Sequence, residues 1–144
     1  MSNKEVLELW FERVWHQEEA SVIHEMFVPE AQKDAAYGLQ KEGGMKPDDY
    51  LAFHGALLSL IGNVRLEIIN YLEQGEQLFA ECTLTATKRG TKTPVSMNGC
   101  VIAKIADGKI LSADNYFDFL NLFEALGALP PDTFGTCMAG GKVA

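Results

Sequence analysis

The chain has 144 residues, of which 47% are hydrophobic and 22% are charged, so its length and composition indicate one globular domain. The formal net charge of −8 argues against binding to nucleic acid or to anionic membranes, because both require a basic surface. The N-terminal stretch MSNKEVLELWFERVW is rich in charged side chains, so we expect neither a signal peptide nor a membrane span there.

The N-terminal third of the chain predicts two helices and a short strand. A helix over residues 3–17 begins with a capping box, in which Ser2 and Glu5 each satisfy a backbone amide of the other. Its apolar residues recur at helical spacing, which predicts one buried face. A shorter helix follows over residues 19–26, and a short strand is expected over residues 32–37.

The rest of the chain predicts a third helix, a long series of strands and a last helix. The third helix starts near Pro47 and is expected to end at Gly62, after which apolar and polar residues alternate as in a half-buried sheet. The four predicted strands cover residues 64–72, 78–88, 95–106 and 109–117. A helix over residues 119–126 follows, and the tail 130–144 is expected to be irregular.

The order of these elements predicts an α+β domain, in which N-terminal helices pack across one face of a curved antiparallel sheet. In the first two strands the even-numbered residues form the apolar set that would face the helices. In the third strand the odd-numbered residues form that set. We expect residues 1–144 to form a single domain, with its core within residues 3–129.

The last strand, in the stretch KILSADNYFDF, contains polar residues whose direction decides what a pocket would hold. The odd-numbered set is more apolar than the even-numbered set, which predicts that Asn115 faces the helices and Asp114 faces outward. A three-residue hairpin loop would pair Asn115 with Gly99 on the inner face, whereas a two-residue turn would pair it with Cys100 on the outer face. Asp118 directly precedes the last helix, where a carboxylate is a good N-cap.

His54 is the most informative histidine, because it lies near the centre of an apolar arc of the third helix that includes Tyr50 and Leu57. One interpretation is a core histidine that is hydrogen-bonded to Asn70 or Asn115. The other is a general base or a ligand-orienting donor, because histidine titrates closest to neutral pH. The sequence leaves both open.

The remaining histidines and the cysteines predict no metal or cofactor site. His16 and His24 look exposed, and no metal-ligand spacing, glycine-rich phosphate loop or nucleophile motif is present in the sequence. Cys82, Cys100 and Cys137 are widely spaced and form no C-x-x-C pair. This usage is typical of reduced thiols in a cytoplasmic protein.

The order of elements, the hairpin DGKI and the segment DFLNLFEALG together resemble the SnoaL-like polyketide cyclases, which belong to the nuclear transport factor 2-like superfamily. The segment NYFDF is also similar to limonene epoxide hydrolase of the same superfamily. The resemblance covers residues 3–129. It implies a cone-shaped α+β barrel around an apolar pocket, usually in a homodimer.

The resemblance also implies catalytic positions, and this chain departs from the family at each of them. The family's catalytic carboxylate on the last strand corresponds to Asn115. The cyclases add a His and a Gln on the preceding strand, where this chain has Val101 and Gly99. The epoxide hydrolases add an Arg and an Asp on the second long strand, where it has Cys82 and Leu84. An amide cannot accept and return a proton as a carboxylate does, so neither mechanism carries over intact.

The sequence therefore predicts a protein with a pocket for a small apolar ligand. It would be a cyclase-type or ketosteroid isomerase-type enzyme for an apolar carbonyl compound, a non-catalytic binding protein for a hydrophobic metabolite, or, as a third alternative, an epoxide hydrolase-like enzyme. In an enzyme, His54 would move the proton and Asn115 would hydrogen-bond the enolate oxygen. The residues predicted to bind the ligand are Asn70, Cys82, Leu84, Met97, Val101, Ala113 and Phe117.

The outer face of the predicted sheet carries apolar residues among threonines, and this pattern predicts a homodimer. A contiguous apolar patch of this size is rarely left exposed, and two subunits packed face to face would cover it. The residues of this outer patch are Ile69, Tyr71, Phe79, Ile102, Ile110 and Tyr116.

Overall fold

The structure is a computed structural model that describes residues 1–29 and 45–143. The helical segments of this part are α1 (Asn3–Trp10), a π-helical turn (Phe11–His16), α2 (Val22–Met26), α3 (Pro47–Leu58), α4 (Phe119–Leu126) and α5 (Thr133–Met138). The strands of this part are β1 (Ile61–Gln74), β2 (Gln77–Lys88), β3 (Pro94–Ala106) and β4 (Lys109–Phe117). The strand predicted over residues 32–37 lies outside the described residues.

The four strands form one antiparallel sheet in the order β1-β2-β3-β4, with helices packed on one face, and the predicted α+β class is confirmed. In the two central strands, buried and exposed side chains alternate as the sequence predicts, because helices cover one face of the sheet and solvent contacts the other. On β2 the inward residues Leu78, Ala80, Cys82, Leu84 and Ala86 are buried. Within the described residues, no helix is long and apolar enough to span a membrane.

The predicted N-terminal helix is present, and its second half is a π-helical turn. The capping box is confirmed, since the Glu5 amide donates to Ser2 Oγ over 3.1 Å and the Ser2 amide donates to Glu5 Oε1 over 2.8 Å. In the π-helical turn the hydrogen bonds span five residues, as between the Gln17 amide and the Glu12 carbonyl. His16 was expected to be exposed but is half-buried, because its Nε2 accepts a hydrogen bond from the Leu66 amide over 2.8 Å.

The edge strand β1 corrects one predicted pocket residue. Its register shifts between Ile68 and Asn70, where a bulge interrupts the pairing with β2. After this bulge the alternation ends, so Asn70 and Leu72 are exposed although their parity predicted that they face the core. Asn70 therefore lies outside the pocket.

The other edge strand, β4, confirms the predicted facing of its polar residue but corrects the hairpin. The turn is the two-residue type, with Asp107 at φ 52° and Gly108 at φ 74°. A bulge at Leu111 then adds one residue to β4, so Asn115 pairs with Val101 on the inner face rather than with Gly99. The same bulge buries Ile110, which the alternation had assigned to the outer patch.

The C-terminal end of α3, the N-cap of α4 and the tail can each be compared with their predictions. Helix α3 stops at Leu58, and Gly62 belongs to β1 rather than closing the helix. Helix α4 matches its predicted bounds, and Asp118 is confirmed as its N-cap, because its Oδ1 accepts from the Asn121 amide over 3.0 Å. The tail predicted to be irregular contains helix α5.

Candidate functional site

Two adjoining cavities lie between the helices and the inner face of the sheet. Their empty volumes are about 350 and 370 Å³, counting the part open to solvent. The first cavity is lined mainly by Leu7, Trp10, Phe27, Val101, Ile110 and Ala113. The second cavity is lined mainly by Trp15, Phe53, Leu57, Leu84, Met97 and Phe117. Phe11, Tyr50 and Asn115 line both cavities and so mark the junction between them.

Asn115 is the polar group that the sheet contributes to the junction. The register of β4 places it beside Val101, so its amide lies among hydrocarbon side chains of the inner face. It is accessible to solvent, and its side chain forms no hydrogen bond within the part of the chain that the structure describes. Its amide oxygen and nitrogen are therefore available to a ligand.

Tyr50 is the polar group that the helices contribute to the junction. It is 7% exposed, and its hydroxyl oxygen accepts a hydrogen bond from Trp15 Nε1 over 3.0 Å. Burial raises the pKa of Tyr50 to about 12, although hydrogen bonds from the Trp15 and Trp10 side chains oppose the rise. Tyr50 is therefore a neutral phenol at physiological pH.

Aromatic rings hold Tyr50 in place from several sides. The ring centroids of Trp10 and Tyr50 are 5.2 Å apart, those of Tyr50 and Phe53 are 5.8 Å apart, and those of Phe27 and Tyr50 are 6.3 Å apart. All three pairs meet edge to face, which is a favoured arrangement of aromatic rings. The phenol thus has a fixed position in the wall that the helices form.

His54 is close to the site but is not among the described residues that line either cavity. It is 3% exposed, and its Nε2 donates to the carbonyl oxygen of Val14 over 2.6 Å. Its ring lies against the indole of Trp15, with centroids 4.8 Å apart. Neither Asn70 nor Asn115, the two partners considered from the sequence, bonds to it. The geometry matches the interpretation of a hydrogen-bonded core histidine.

Of the other predicted site residues, the structure brings five into the cavity walls and leaves two out. Leu84, Met97 and Phe117 line the second cavity, and Val101 and Ala113 line the first. Asn70 is exposed on the far half of β1. Cys82 is fully buried and lines neither cavity, and burial raises the pKa of its thiol to about 12. That thiol is therefore protonated and poorly nucleophilic at neutral pH.

The described lining of the two cavities contains no carboxylate, imidazole, ammonium or guanidinium group. At the two positions that correspond to the cyclase His and Gln, Val101 contributes only methyl groups, and the space above Gly99 is filled by the ring of Phe117. Within residues 1–29 and 45–143, no group of three His, Cys, Asp or Glu side chains is placed to hold a metal ion. The described site can therefore donate and accept hydrogen bonds but has no titrating group at neutral pH.

The part of the site that the helices provide was not predicted from the sequence. Tyr50 was predicted only as a member of an apolar arc, and no hydrogen bond from Trp15 was predicted. Helical periodicity shows which residues face inward, but not which inward hydroxyl meets which indole, since that depends on how two helices cross. The available signal was the presence of a tyrosine and both tryptophans of the chain on inward helix faces.

Comparison with known proteins identifies the family. The model of the SnoaL-like domain matches residues 7–113. The chain belongs to the SnoaL-like domain family. No curated protein matches it in sequence.

Solved structures show the same fold. AclR from Streptomyces galilaeus, a proposed hydroxylase, is 18% identical with a TM-score of 0.66, over 90% of this chain and 99% of AclR. IdmH from Streptomyces antibioticus, a proposed polyketide cyclase, is 12% identical with a TM-score of 0.66, over 88% of this chain and 99% of IdmH. A protein from Catenulispora acidiphila with a ketosteroid isomerase-like fold, in complex with trimethylamine, is 15% identical with a TM-score of 0.64, over 85% and 92%. The nuclear transport factor 2-like fold of this SnoaL-like protein is thus established.

Proposed function

We propose that this SnoaL-like protein binds a small, largely apolar carbonyl compound in its two cavities and acts on it in the manner of a polyketide cyclase or a ketosteroid isomerase. The observation that carries the proposal is the junction of two apolar cavities at Asn115, whose amide has no partner among the described residues. Apolar walls with a few convergent polar groups are typical of small-molecule sites.

The amide of Asn115 suits a carbonyl or enolate oxygen. Its N–H groups are donors, and a donor that faces apolar walls stabilises negative charge on oxygen better than a donor in bulk water. In relatives with a carboxylate at this position, the same place on the last strand would supply a base. In this chain it supplies a hydrogen bond, so activation would act on the oxygen of the ligand.

A non-catalytic binding protein is the second candidate, and a specific observation favours it. No carboxylate or imidazole lines the cavities within the described residues, so a proton removed from carbon would have no side-chain acceptor there. His54, the predicted base, uses its Nε2 on the Val14 carbonyl. In this case Asn115 would only orient a bound metabolite.

An epoxide hydrolase-like activity has the least support. It would need a charged pair at Cys82 and Leu84, and both positions carry buried groups without charge. Water activation would also need a carboxylate in place of Asn115.

The two main candidates can be distinguished with 2-tetralone, an apolar ketone with exchangeable α-hydrogens. Trp10 and Trp15, both tryptophans of the chain, each line one cavity, so quenching of intrinsic fluorescence reports binding. NMR in deuterated buffer reports exchange of the α-hydrogens. Saturable binding with faster exchange supports an enzyme, saturable binding without it supports a binding protein, and failure of apolar ketones to bind overturns the proposal.

The matched pair of variants Asn115→Leu and Asn70→Leu tests whether the amide of Asn115 contacts the ligand. Asn115→Leu should weaken ketone binding by about two- to tenfold, the effect of one neutral hydrogen bond. Asn70 is exposed and away from the cavities, so Asn70→Leu should leave binding unchanged. Equal effects of the two variants would contradict the assigned contact.

We further propose that the outer sheet face forms a homodimer. Phe79 and Tyr116 are 48% and 62% exposed on this face, and the bulge in β1 adds Leu72, which is 77% exposed and pairs with Phe79. Ile69 is the additional residue of that bulge, and Tyr71 is not part of the patch as predicted, because the bulge pairs it with the inward Ala80. Ile110 is no longer part of this patch, because it is buried. Sedimentation at micromolar concentration should show a dimer, and Phe79→Glu should shift it toward monomer. A monomeric wild type would overturn this proposal.

A further inference from the structure

We propose that Tyr50 donates its hydroxyl hydrogen to an oxygen atom of the ligand, and that this oxygen lies in the interior of the ligand, with apolar groups on both sides. The inference rests on the proposed function and deepens it. It adds a ligand-binding residue from the helices and narrows the class of ligand to molecules with a central carbonyl, enol or ether oxygen.

The direction of the Tyr50 hydroxyl follows from its partner. A phenol has one hydrogen to donate and can accept at its oxygen. Trp15 Nε1 can only donate, and it lies 3.0 Å from the phenol oxygen, so the oxygen is the acceptor in this bond. The hydroxyl hydrogen is therefore left over, and it forms no hydrogen bond to residues 1–29 or 45–143.

An unused donor in this position requires an explanation. Tyr50 is 7% exposed and lines both cavities. Buried polar hydrogens nearly always have a partner, because an unsatisfied donor in an apolar environment is costly. Asn115 lines the same junction without bonding to the phenol. A ligand oxygen at the junction would accept a hydrogen bond from the hydroxyl of Tyr50 and a second one from the amide of Asn115.

The structure behind the phenol keeps this donor pointed at the junction. The rings of Trp15 and His54 are in contact at an angle of 59°, with centroids 4.8 Å apart, and His54 Nε2 donates to the Val14 carbonyl over 2.6 Å. Val14 lies in the last residues of the π-helical turn, where carbonyl groups lack partners within the helix. His54 is therefore a positioning residue, which acts on the ligand through Trp15 and Tyr50. Trp15 lines the second cavity and also donates to the Tyr50 oxygen.

The place of the donor sets the class of ligand. Tyr50 and Asn115 line both cavities, whereas Leu7 and Ile110 line only the first cavity and Leu57 and Leu84 line only the second. A fatty acid would bring its carboxylate to one end of the molecule, and no cation lines the described walls to receive it. A ligand with a central oxygen would place that oxygen beside Tyr50 and Asn115 and its apolar groups against the apolar walls of the two cavities.

The test compares 9-fluorenone, which has a central carbonyl between two apolar rings, with fluorene, which lacks only the oxygen. Binding of both is measured by equilibrium dialysis to wild type, to Tyr50→Phe and to Tyr71→Phe. Tyr71 is 44% exposed near the end of β1 and is not among the described lining residues of either cavity, so it serves as the matched control. Tyr50→Phe should weaken fluorenone by about three- to tenfold and leave fluorene unchanged. Tyr71→Phe should change neither.

Infrared spectroscopy gives a readout that a merely structural change would not move. The carbonyl stretch of bound fluorenone should lie at lower frequency than in an apolar solvent, and Tyr50→Phe should raise it. If Tyr50→Phe does not fold, the wild-type spectrum still decides, because an unshifted stretch overturns the inference.

If fluorenone and fluorene bind but Tyr50→Phe changes neither affinity nor frequency, the inference fails and the proposed function stands. If neither binds wild type, both fail. Dodecanoate binding more tightly than fluorenone would overturn the central-oxygen class.

Discussion

The two walls of the site are built in different ways. The sheet wall consists of inward residues of β2, β3 and β4, and within it only Asn115 lines the cavities with a polar side chain among the described residues. The helix wall consists mainly of aromatic rings, and its polar group, Tyr50, is fixed by a hydrogen bond and four ring contacts. The sheet wall therefore offers an accessible amide, and the helix wall offers a buried hydroxyl in a fixed direction.

This difference shows what chemistry each wall can provide. A hydroxyl whose pKa is raised to about 12 cannot act as a base at neutral pH, so the helix wall can only donate a hydrogen bond. The sheet wall is where relatives of this fold would carry their carboxylate, as the resemblance implies, and here it carries an amide. Hydrogen bonding without a proton acceptor is thus the common property of both walls within the described residues.

The largest expected effect comes from adding a base to the sheet wall with Asn115→Asp. The new carboxylate would lie among apolar residues, and the described lining contains no cation, so its pKa should rise above the ordinary value of about 3.9. If a ketone binds at the junction, exchange of its α-hydrogens should increase by roughly 10² to 10⁴, the range for a positioned general base. NMR measures both quantities.

Asn70→Asp is the matched control for that gain, because it adds the same charge at an exposed site outside the cavities. It should leave exchange at the wild-type rate. Exchange that stays at the wild-type rate in Asn115→Asp, while 2-tetralone still binds, would contradict the place of Asn115 beside the reacting carbon.

A second prediction uses pH to compare the walls. The pKa values of Tyr50 on the helix wall and of Cys82 on the inner sheet face are each raised to about 12, from ordinary values of 10.0 and 9.0, mainly by burial. The folded state therefore keeps protons that the unfolded state releases, so stability is full below pH 9 and falls as pH rises toward 12. The slope should be about 1.4 kcal/mol per pH unit for each group.

Chemical denaturation at a series of pH values measures this slope. Cys82→Ala should remove the fall that begins near pH 9, and Tyr50→Phe should remove the fall that begins near pH 10. The two variants are compared by slope, because each also changes packing at every pH. A slope that both variants leave unchanged would show that other groups cause the alkaline loss.

The sheet wall could be predicted from the sequence further than the helix wall, for a physical reason. A strand places alternate residues on opposite faces, so a period of two identified Leu84, Met97 and Val101 directly. The rule failed at Asn70 and Ile110, which lie beside bulges in the two edge strands. A bulge inserts one residue and reverses the facing, and an edge strand tolerates it because one side is unpaired.

The helix wall depends on contacts between elements, which a sequence period does not contain. The period correctly placed His54 and Tyr50 inside. It could not show that His54 would bond to the Val14 carbonyl, since that carbonyl is free only because a helix ends nearby. Burial was therefore predictable, and the direction of each polar atom was not.

Two glycines, one near each wall, give the third prediction. A Cβ on Gly99 of β3 would collide with the ring of Phe117 and lie 2.6 Å from the Tyr116 carbonyl oxygen. Gly99→Ala should therefore destabilise the protein by about 1–3 kcal/mol, the usual cost of overpacking. A Cβ on Gly55 of α3 would meet nothing within 4 Å, so Gly55→Ala should stabilise it by about 0.5–1 kcal/mol.

Urea denaturation of both variants tests the contrast. The changes in the free energy of unfolding should have opposite signs, because the ring of Phe117 fills the space above Gly99 and the space around Gly55 on the helix surface is open. A Gly99→Ala variant as stable as wild type would show that the Phe117 ring can leave its place over Gly99.

The smallest expected effect concerns Asp118, which lies between the end of strand β4 and the start of helix α4. Its Oδ1 accepts from the Asn121 amide over 3.0 Å, so Asp118→Ala should cost about 1 kcal/mol, the usual loss for an N-cap. Asp118 is not among the described lining residues, so ketone binding should be unchanged. Asp132 occupies the N-cap position of α5 without a capping hydrogen bond, so Asp132→Ala should cost less. If Asp118→Ala abolished binding while its unfolding midpoint stayed constant, Asp118 would belong to the site rather than to the cap.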